Sequence, residues 1–428
     1  MIAVLFVVLG VLMVGGVPIF MSLSGSAALS LGIFSDLDLV VVIQRMIAGL
    51  NKFSLMSIPF FILAANLMGE GGISKRIIKL ANVFVGHISG GLGMVAILAS
   101  LFFGAISGSA PATVVAIGAI LYPALKANNY GTRYSTGVIT AAGSLGIIIP
   151  PSVTMIVYGT VTGASVGALF IAGFGAGVIY ALIYMIYTYI HAKRHPEIIR
   201  QPKTTWPEKW DAIKGSAWGM GVPIIILGGI YGGIFTPTEA SAVAVIYSLF
   251  VSMVIYREMS FKDLINCIKK SAIATVQIMV LMAGACVFAW ILTSEGITVI
   301  IADAILKISS NKYVIFMLMN IILLVAGMFL DGASIVTILG PLFFPIAMAA
   351  GIDPIHLGIV MVVNCAIGMF TPPFGLNLFV ASSITDQPVM KVARGAVPFI
   401  FLSIIALLLI TYIPEISLWL PRQVYGTW

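Results

Sequence analysis

Charged side chains are scarce in this chain of 428 residues. They make up 9% of the sequence, whereas a soluble domain carries about a quarter, and this excludes an ordinary soluble fold. Hydrophobic residues reach 60%, and apolar runs of about twenty residues, long enough to cross a bilayer, recur along the chain. The alternation of polar and apolar residues that is typical of a membrane β-barrel is not seen. The composition therefore predicts an all-α polytopic membrane protein in a lipid bilayer.

Several chemical signatures are also missing from the sequence. The 3 cysteines and 4 histidines have no metal-ligand spacing. No G-x-x-x-x-G-K-[ST] motif offers a loop for ATP phosphates, which argues against a primary pump. The net charge of +7 comes from basic residues scattered between apolar runs. That pattern is typical of positively charged cytoplasmic loops, so we expect no nucleic-acid partner.

Two stretches of the chain match each other when the sequence is shifted by 222 residues. The coincident positions are Val114/Val336, Gly118/Gly340, Pro123/Pro345, Gly146/Gly368, Pro150/Pro372 and Pro151/Pro373. Three of these pairs are prolines, in a chain with only 20 prolines. Each copy also places a small polar sequence inside an apolar stretch, at 107–109 and at 331–334. We interpret the chain as a duplicated membrane unit, interrupted in each copy where a membrane helix would be continuous.

Each copy is predicted to contain about five transmembrane helices and one re-entrant hairpin. A hairpin is favoured because each half of the interrupted stretch has about 15–17 residues, too few to cross a core of about 30 Å. An odd number of crossings turns the second copy upside down, which makes an inverted repeat. The first inverted repeat is predicted at 1–190, with a hairpin at 90–125 and a broken helix at 134–158. A cytoplasmic linker follows at 191–215. The second inverted repeat is predicted at 216–428, with a hairpin at 313–350 and a broken helix at 356–380.

The segments between these features have a simpler interpretation. Residues 2–34 predict two short or tilted helices, and 38–52 predict an interfacial arm. A second interfacial piece is expected at 297–312. Spans are predicted at 216–235 and 272–293, with Lys269 and Lys270 among the basic residues of the loop before the second of them.

The two breaks are expected to carry the chemistry of the protein. A helix interrupted in lipid exposes N–H and C=O groups, which are costly unless they are buried in protein or line a polar cavity. Freed carbonyls and nearby hydroxyls suit a hard cation such as Na⁺, and helix N-termini suit an anion. The predicted Na⁺ ligands are Ser107, Ser109, Gly146, Ile149 and Pro150 in the first copy and Asp331, Gly332, Ser334, Gly368, Thr371 and Pro372 in the second. The predicted substrate contacts are Asn66, Ser107, Gly108, Ser152, Asn364 and Asn377.

Some of these assignments have a structural alternative. Asp331 is the only carboxylate at a predicted tip, and it equally suits a cap for its own turn. Asn66, Asn364 and Asn377 equally suit hydrogen bonds between helices. For the breaks as a whole, kinks that bind nothing are the alternative.

A serine hydrolase and a channel are the two other classes of protein that the sequence allows. The sequence 163–167 matches the G-x-S-x-G motif of serine hydrolases, but such a match arises readily by chance in a chain with 44 glycines. A channel would need a persistent filter or a charged ring, and paired hairpins in inverted repeats fit alternating access better. Both remain alternatives to an ion-coupled transporter.

The motifs together resemble the large membrane subunit of tripartite ATP-independent periplasmic (TRAP) transporters, of the DctM or SiaM type. The resemblance extends from the third helix to the last but one. It is carried by Pro59-Phe60-Phe61-Ile62-Leu63-Ala64, Gly71-Gly72-Ile73-Ser74, Ser107-Gly108-Ser109-Ala110, Gly146-Ile147-Ile148-Ile149-Pro150-Pro151-Ser152 and Thr371-Pro372-Pro373-Phe374-Gly375-Leu376-Asn377-Leu378-Phe379. The tip 331–334 matches less literally.

The resemblance implies a Na⁺-driven importer of an organic acid, with sialic acid and C4-dicarboxylates as the leading classes. It implies two partners, a small four-helix membrane subunit and a periplasmic substrate-binding protein, and a location in the bacterial inner membrane. It also implies an elevator mechanism, with a static scaffold that includes 1–34 and 216–256. A stand-alone symporter of similar fold is the main alternative. No arginine lies inside a predicted span, so we expect helix N-termini, amides and hydroxyls to hold the substrate carboxylate.

Overall fold

The computed structural model describes residues 1–35, 37–296, 300 and 311–426, and over these residues the chain is helical without strands. The interfacial piece predicted at 297–312 lies almost wholly outside the described residues. The helices are α1 Ile2–Val14, α2 Ile19–Phe34, α3 Val40–Leu50, α4 Ser57–Glu70, α5 Ile73–Val85, α6 Gly91–Ser107, α7 Ala110–Ala127, α8 Thr132–Gly143, α9 Leu145–Ile148, α10 Val153–Thr162, α11 Val166–Arg194, α12 Trp206–Tyr231, α13 Pro237–Phe250, α14 Phe261–Ser294, α15 Lys312–Gly327, α16 Gly332–Ala349, α17 Pro354–Gly368, α18 Leu376–Thr385, α19 Val389–Tyr412 and α20 Glu415–Tyr425.

Long apolar helices dominate this architecture. Within the described part of the chain, 8 helices are long and apolar enough to cross a membrane, or 9 when the bent pair formed by Thr132–Ile148 and Val153–Thr162 is taken as one span. The first two helices, of 13 and 16 residues, are the two short helices predicted for residues 2–34 and are separated by residues 15–18. The third helix has 11 residues, too few to cross a bilayer. The chain is an all-helical polytopic membrane protein.

The polar segment between the two halves is more helical than the sequence suggests. Helix α11 continues to Arg194, and α12 starts at Trp206 instead of at residue 216. The early start has a local cause, because Thr205 and Glu208 form a capping box in which each side chain accepts a hydrogen bond from the other's backbone N–H. Of the stretch 191–215, only 195–205 lies outside a helix.

Each segment predicted as a hairpin forms two packed helices joined by a short tip. The first pairs α6 with α7, and the second pairs α15 with α16. The first tip turns at Gly108, whose φ of 59° is the left-handed region that favours glycine. A Cβ at this position would also lie 2.5 Å from the Pro151 carbonyl oxygen. The outgoing arms α7 and α16 each have 18 residues and are among the 8 helices long enough to cross a membrane, so the expectation that each half is too short to cross is wrong for these two arms.

Both predicted broken helices are interrupted at their paired prolines. Helix α9 ends at Ile148 and α10 begins at Val153, with a bend of 41° across the first break. Helix α17 ends at Gly368 and α18 begins at Leu376. The bonds Pro150–Pro151 and Pro372–Pro373 are both cis. Proline lacks a backbone N–H, so neither helix can run through its pair unbroken.

Each half of the chain packs on the other through corresponding helices. Helix α10, which follows the first break, packs along the outgoing arm of the second hairpin, and α18, which follows the second break, packs along the outgoing arm of the first. The first hairpin and the start of α17 contact opposite ends of α11. At the base of the first hairpin, a Cβ at Gly90 would lie 2.8 Å from the Thr188 carbonyl oxygen. Gly358, just after the second hairpin, faces Leu169 at the other end of α11. Opposed hairpins are the arrangement that an inverted repeat requires.

The helices form two groups that meet at the hairpin tips. A peripheral group is formed by α1 to α4 with α12 to α14, which pack mainly on one another. A central group is formed by the hairpins, the broken helices, α11, α19 and α20, while α5 packs on both groups. Contacts of α4 with α6 and of α14 with α16 join the two groups.

Candidate functional site

One cavity of about 430 Å³ lies where the two groups meet. Both hairpin tips line it, through 107–112 and 331–333, and residues beside both helix breaks line it as well. The opposite wall comes from α4 and α14 of the peripheral group. The duplicated features of the sequence therefore converge on a single space, as the repeat predicted.

Hydroxyl groups organise the first tip, which packs closely against the first break. The Ser107 and Thr113 hydroxyl oxygens are 3.0 Å apart, and the Thr113 hydroxyl donates to the Ser109 carbonyl oxygen at 2.8 Å. Gly146 lies against this group, since a Cβ there would be 2.6 Å from the Ser109 oxygen. Three of the predicted Na⁺ ligands, Ser107, Ser109 and Gly146, thus lie close together. The hydroxyl oxygen of Thr113 is a further candidate Na⁺ ligand that was not predicted from the sequence.

The second tip is organised by Asp331. Its carboxylate accepts hydrogen bonds from the backbone N–H groups of Ala333 at 3.0 Å and Ser334 at 3.3 Å, and from the Ser334 hydroxyl. The capping alternative for Asp331 is therefore realised in the structure. Nearby, the Gly368 carbonyl accepts from the Thr371 N–H at 3.1 Å, which occupies one of its two lone pairs.

The predicted substrate contacts fall into two sets. Asn66, Ser107 and Gly108 line the cavity, whereas Ser152, Asn364 and Asn377 are fully buried and are not among its lining residues. Those three instead hold helices in place.

The contacts of the second set are specific. Ser152 caps α10 by accepting from the Met155 N–H at 3.4 Å. The Asn364 amide donates to the Asn320 side-chain oxygen at 2.8 Å, and Asn377 donates to the Thr140 carbonyl at 3.4 Å. The interhelical alternative accounts for the amide nitrogens of both asparagines, whereas their buried side-chain oxygens have no hydrogen-bond partner among the described residues.

The sequence reading missed three polar residues of the cavity wall, Thr154, Lys270 and Gln277. Among the described residues that line this cavity, Lys270 is the only one with a cationic side chain. The sequence reading placed it in a loop, but α14 starts at Phe261, so Lys270 is the tenth residue of that helix. The signal that could have located it is the Ser260–Asp263 capping box, which starts the helix well before residue 272.

A second cavity, of about 540 Å³, adjoins the first. The two share Asn66, Ser107 and Lys270 among their lining residues. The second cavity is also lined by Glu70, Lys75 and Glu258, on the side of the molecule that carries the basic loops. The positive-inside rule predicts that this side faces the cytoplasm.

Two helical hairpins, two helices broken at paired prolines and a shared cavity between two helix groups are the features of a membrane transporter. Residues 6–416 match the profile of the family described as "Tripartite ATP-independent periplasmic transporter, DctM component". The chain belongs to that family and is a TRAP transporter large permease subunit, a multi-pass protein of the bacterial inner membrane.

Two relatives illustrate the similarity. The chain is 42% identical to the C4-dicarboxylate TRAP transporter large permease protein DctM of Vibrio cholerae, over 99% of this chain and 98% of the relative. It is 35% identical to the sialic acid TRAP transporter large permease protein SiaM of the same organism, over 97% of each chain. Both relatives are named as transporter permeases and not as enzymes.

A solved structure supports the fold. The YdaH transporter of Alcanivorax borkumensis superposes with a TM-score of 0.61, covering 90% of this chain and 91% of its own, at 14% sequence identity. At this identity the likeness concerns the fold alone.

Proposed function

We propose that this chain forms the path of a Na⁺-coupled importer for an organic acid, with a C4-dicarboxylate as the leading substrate. The observation that carries the proposal is the single cavity lined by both hairpin tips and by residues beside both breaks. Such an arrangement places cation-binding oxygens and anion-binding helix N-termini around one guest.

The Na⁺ component of the proposal rests on the chemistry of the tips. Hydroxyl and carbonyl oxygens are ligands that hard cations prefer. The group formed by Ser107, Ser109 and Thr113 gathers such oxygens beside Gly146 at the first break. At the second tip the Ser334 hydroxyl supplies an oxygen beside the second break, on a turn that the Asp331 carboxylate caps.

The acidic substrate is supported by the polarity of the cavity wall. The N-terminal ends of α7, α10 and α16 all reach the cavity, through Ala110, Val153 and Gly332. The positive end of a helix dipole favours an anion. The relative named for C4-dicarboxylates is more similar to this chain than the one named for sialic acid, at 42% against 35% identity. We therefore place a C4-dicarboxylate first and sialic acid second.

The transport mechanism we propose is an elevator, in which the central group carries the site past the peripheral group. The position of the cavity between the two groups supports this. We also propose, from the family to which the chain belongs, that a periplasmic binding protein delivers the substrate and that a small membrane subunit completes the complex.

The proposal can be tested in proteoliposomes. The chain would be reconstituted with its small membrane subunit, and uptake of radiolabelled succinate would be followed with the partner binding protein outside. We expect uptake that requires both an inward Na⁺ gradient and the binding protein, with labelled sialic acid as the second substrate to try. Uptake without the binding protein would favour a stand-alone symporter, and uptake without Na⁺ would contradict the coupling.

A further inference from the structure

Lys270 stands at the junction of the two cavities, already paired with a carboxylate. Its ammonium nitrogen lies 2.8 Å from a carboxylate oxygen of Glu70, so the pair joins α14 to the end of α4. Lys270 lines both cavities, whereas Glu70 is a lining residue of the outer one alone. The lysine therefore reaches the substrate cavity while its protein partner stays outside it.

The ion pair is arranged so that it can open. The two side chains are 62% and 51% exposed, and exposed ion pairs contribute little net stability. The packing of α4 on α14 does not depend on the pair either. Next to it, the Asn66 amide donates to the Ser271 hydroxyl at 2.8 Å, and that hydroxyl donates to the Cys267 carbonyl at 2.7 Å.

We propose that Lys270 exchanges carboxylate partners, releasing Glu70 to bind a carboxylate of the substrate as it passes between the two cavities. The proposal rests on the proposed function and deepens it by naming a group that selects the substrate. A dicarboxylate has two anionic ends. The helix N-termini at the tips offer one anion-binding group, and Lys270 offers a second on the opposite wall. The site then favours dianions over monoanions.

The exchange predicts opposite effects for the two partners of the pair. Lys270→Gln raises KM for succinate by roughly 10- to 100-fold, the cost of losing a hydrogen bond to a charged group, and raises KM for monomethyl succinate much less. In Glu70→Gln no carboxylate of the protein competes with the substrate for Lys270, so KM for succinate falls. The turnover number kcat falls as well, because Lys270 releases the substrate more slowly. Lys79→Gln is the matched control, because Lys79 pairs with Asp211 at the surface and lines neither cavity.

A charge swap separates this role from a structural ion pair. The double variant Glu70→Lys/Lys270→Glu restores the pair but moves the cation out of the substrate cavity, so we expect the high KM to persist. Recovery of wild-type KM in the double variant, or equal effects of the two single variants, would overturn the exchange. Failure of the proposed function would appear differently, as absence of Na⁺-dependent uptake by the wild-type complex with either succinate or sialic acid.

Discussion

Gly327 and Gly368 touch through their backbones at the point where the second hairpin meets the second broken helix. A Cβ placed on Gly327 would lie 2.9 Å from the Gly368 Cα, a separation that real side chains essentially never show. The first copy repeats the contact, because a Cβ on Gly104 would lie 2.9 Å from the Gly146 Cα. Each hairpin is thus locked to its own broken helix where only glycine fits.

We predict that Gly327→Ala destabilises the transporter and abolishes uptake. The added methyl group must push the hairpin away from the break, and overpacking of this kind costs about 1–3 kcal/mol. Thermal unfolding of the purified chain and Na⁺-dependent uptake would measure the two effects. Gly228→Ala is the control, because that position in α12 has open space around it. A Gly327→Ala variant as stable and active as the control would show that the contact can relax.

A second prediction concerns the hydroxyl group at the first tip. Thr113→Val keeps the shape of the side chain but removes the oxygen that lies between Ser107 and the Ser109 carbonyl. We expect the Na⁺ concentration for half-maximal uptake to rise about tenfold, the change that follows from losing about 1.4 kcal/mol of ion binding. Uptake measured over a range of Na⁺ concentrations provides the test.

Thr385→Val is the matched control for that experiment. Thr385 is also a buried threonine that donates to a backbone carbonyl within its own helix, at 2.6 Å from Ala381, but it lies outside the cavity lining. If both valine variants shift the Na⁺ dependence equally, the tip hydroxyl has no special role.

The two helix breaks can be predicted from the sequence, whereas part of the cavity wall cannot, for a physical reason. Gly108 and the pair Pro150–Pro151 act on their own backbone, so a left-handed turn or a lost N–H can be inferred from the residue alone. Lys270 and Thr154 reach the cavity only because helices far apart in the chain pack together there. The capping box at Ser260 places Lys270 in a helix, but no local pattern shows that this helix faces the cavity. For the same reason the sequence does not show that Ser152, Asn364 and Asn377 lie outside the cavity lining, since a polar side chain in a span serves packing as readily as ligand binding.

The third prediction separates capping from ion binding at Asp331. Asparagine accepts the same backbone N–H groups, so Asp331→Asn should keep the stability of the wild type, whereas Asp331→Ala should lose about 0.5–2 kcal/mol. Because hydrogen bonds within its own turn engage both carboxylate oxygens, we expect Asp331→Asn to keep nearly normal Na⁺ dependence as well. A tenfold loss of Na⁺ affinity in the Asn variant, at unchanged melting temperature, would instead make the carboxylate an ion ligand.

The last prediction tests relative motion of the two helix groups. On the side away from the basic loops, Thr160 of the central group contacts two residues of the peripheral group. Its carbonyl accepts from the Lys52 ammonium at 2.7 Å, and its hydroxyl lies 3.2 Å from that of Ser54. An elevator movement must separate these atoms in every cycle, so a covalent link between them should stop transport.

The link can be made by replacing Ser54 and Thr160 with cysteine, in a background whose three native cysteines have been changed to alanine. The hydroxyl oxygens of Ser54 and Thr160 lie 3.2 Å apart, so we expect cysteines at these positions to come within reach of a disulfide bond. We expect oxidation to abolish uptake and dithiothreitol to restore it. The matching control replaces Asn129 and Glu197, which meet within the central group at 3.2 Å between side chain and backbone. Oxidation there should leave uptake intact, because no movement crosses that contact. Full transport with residues 54 and 160 cross-linked would show that the two groups stay fixed in this region during the cycle, which is incompatible with the proposed elevator.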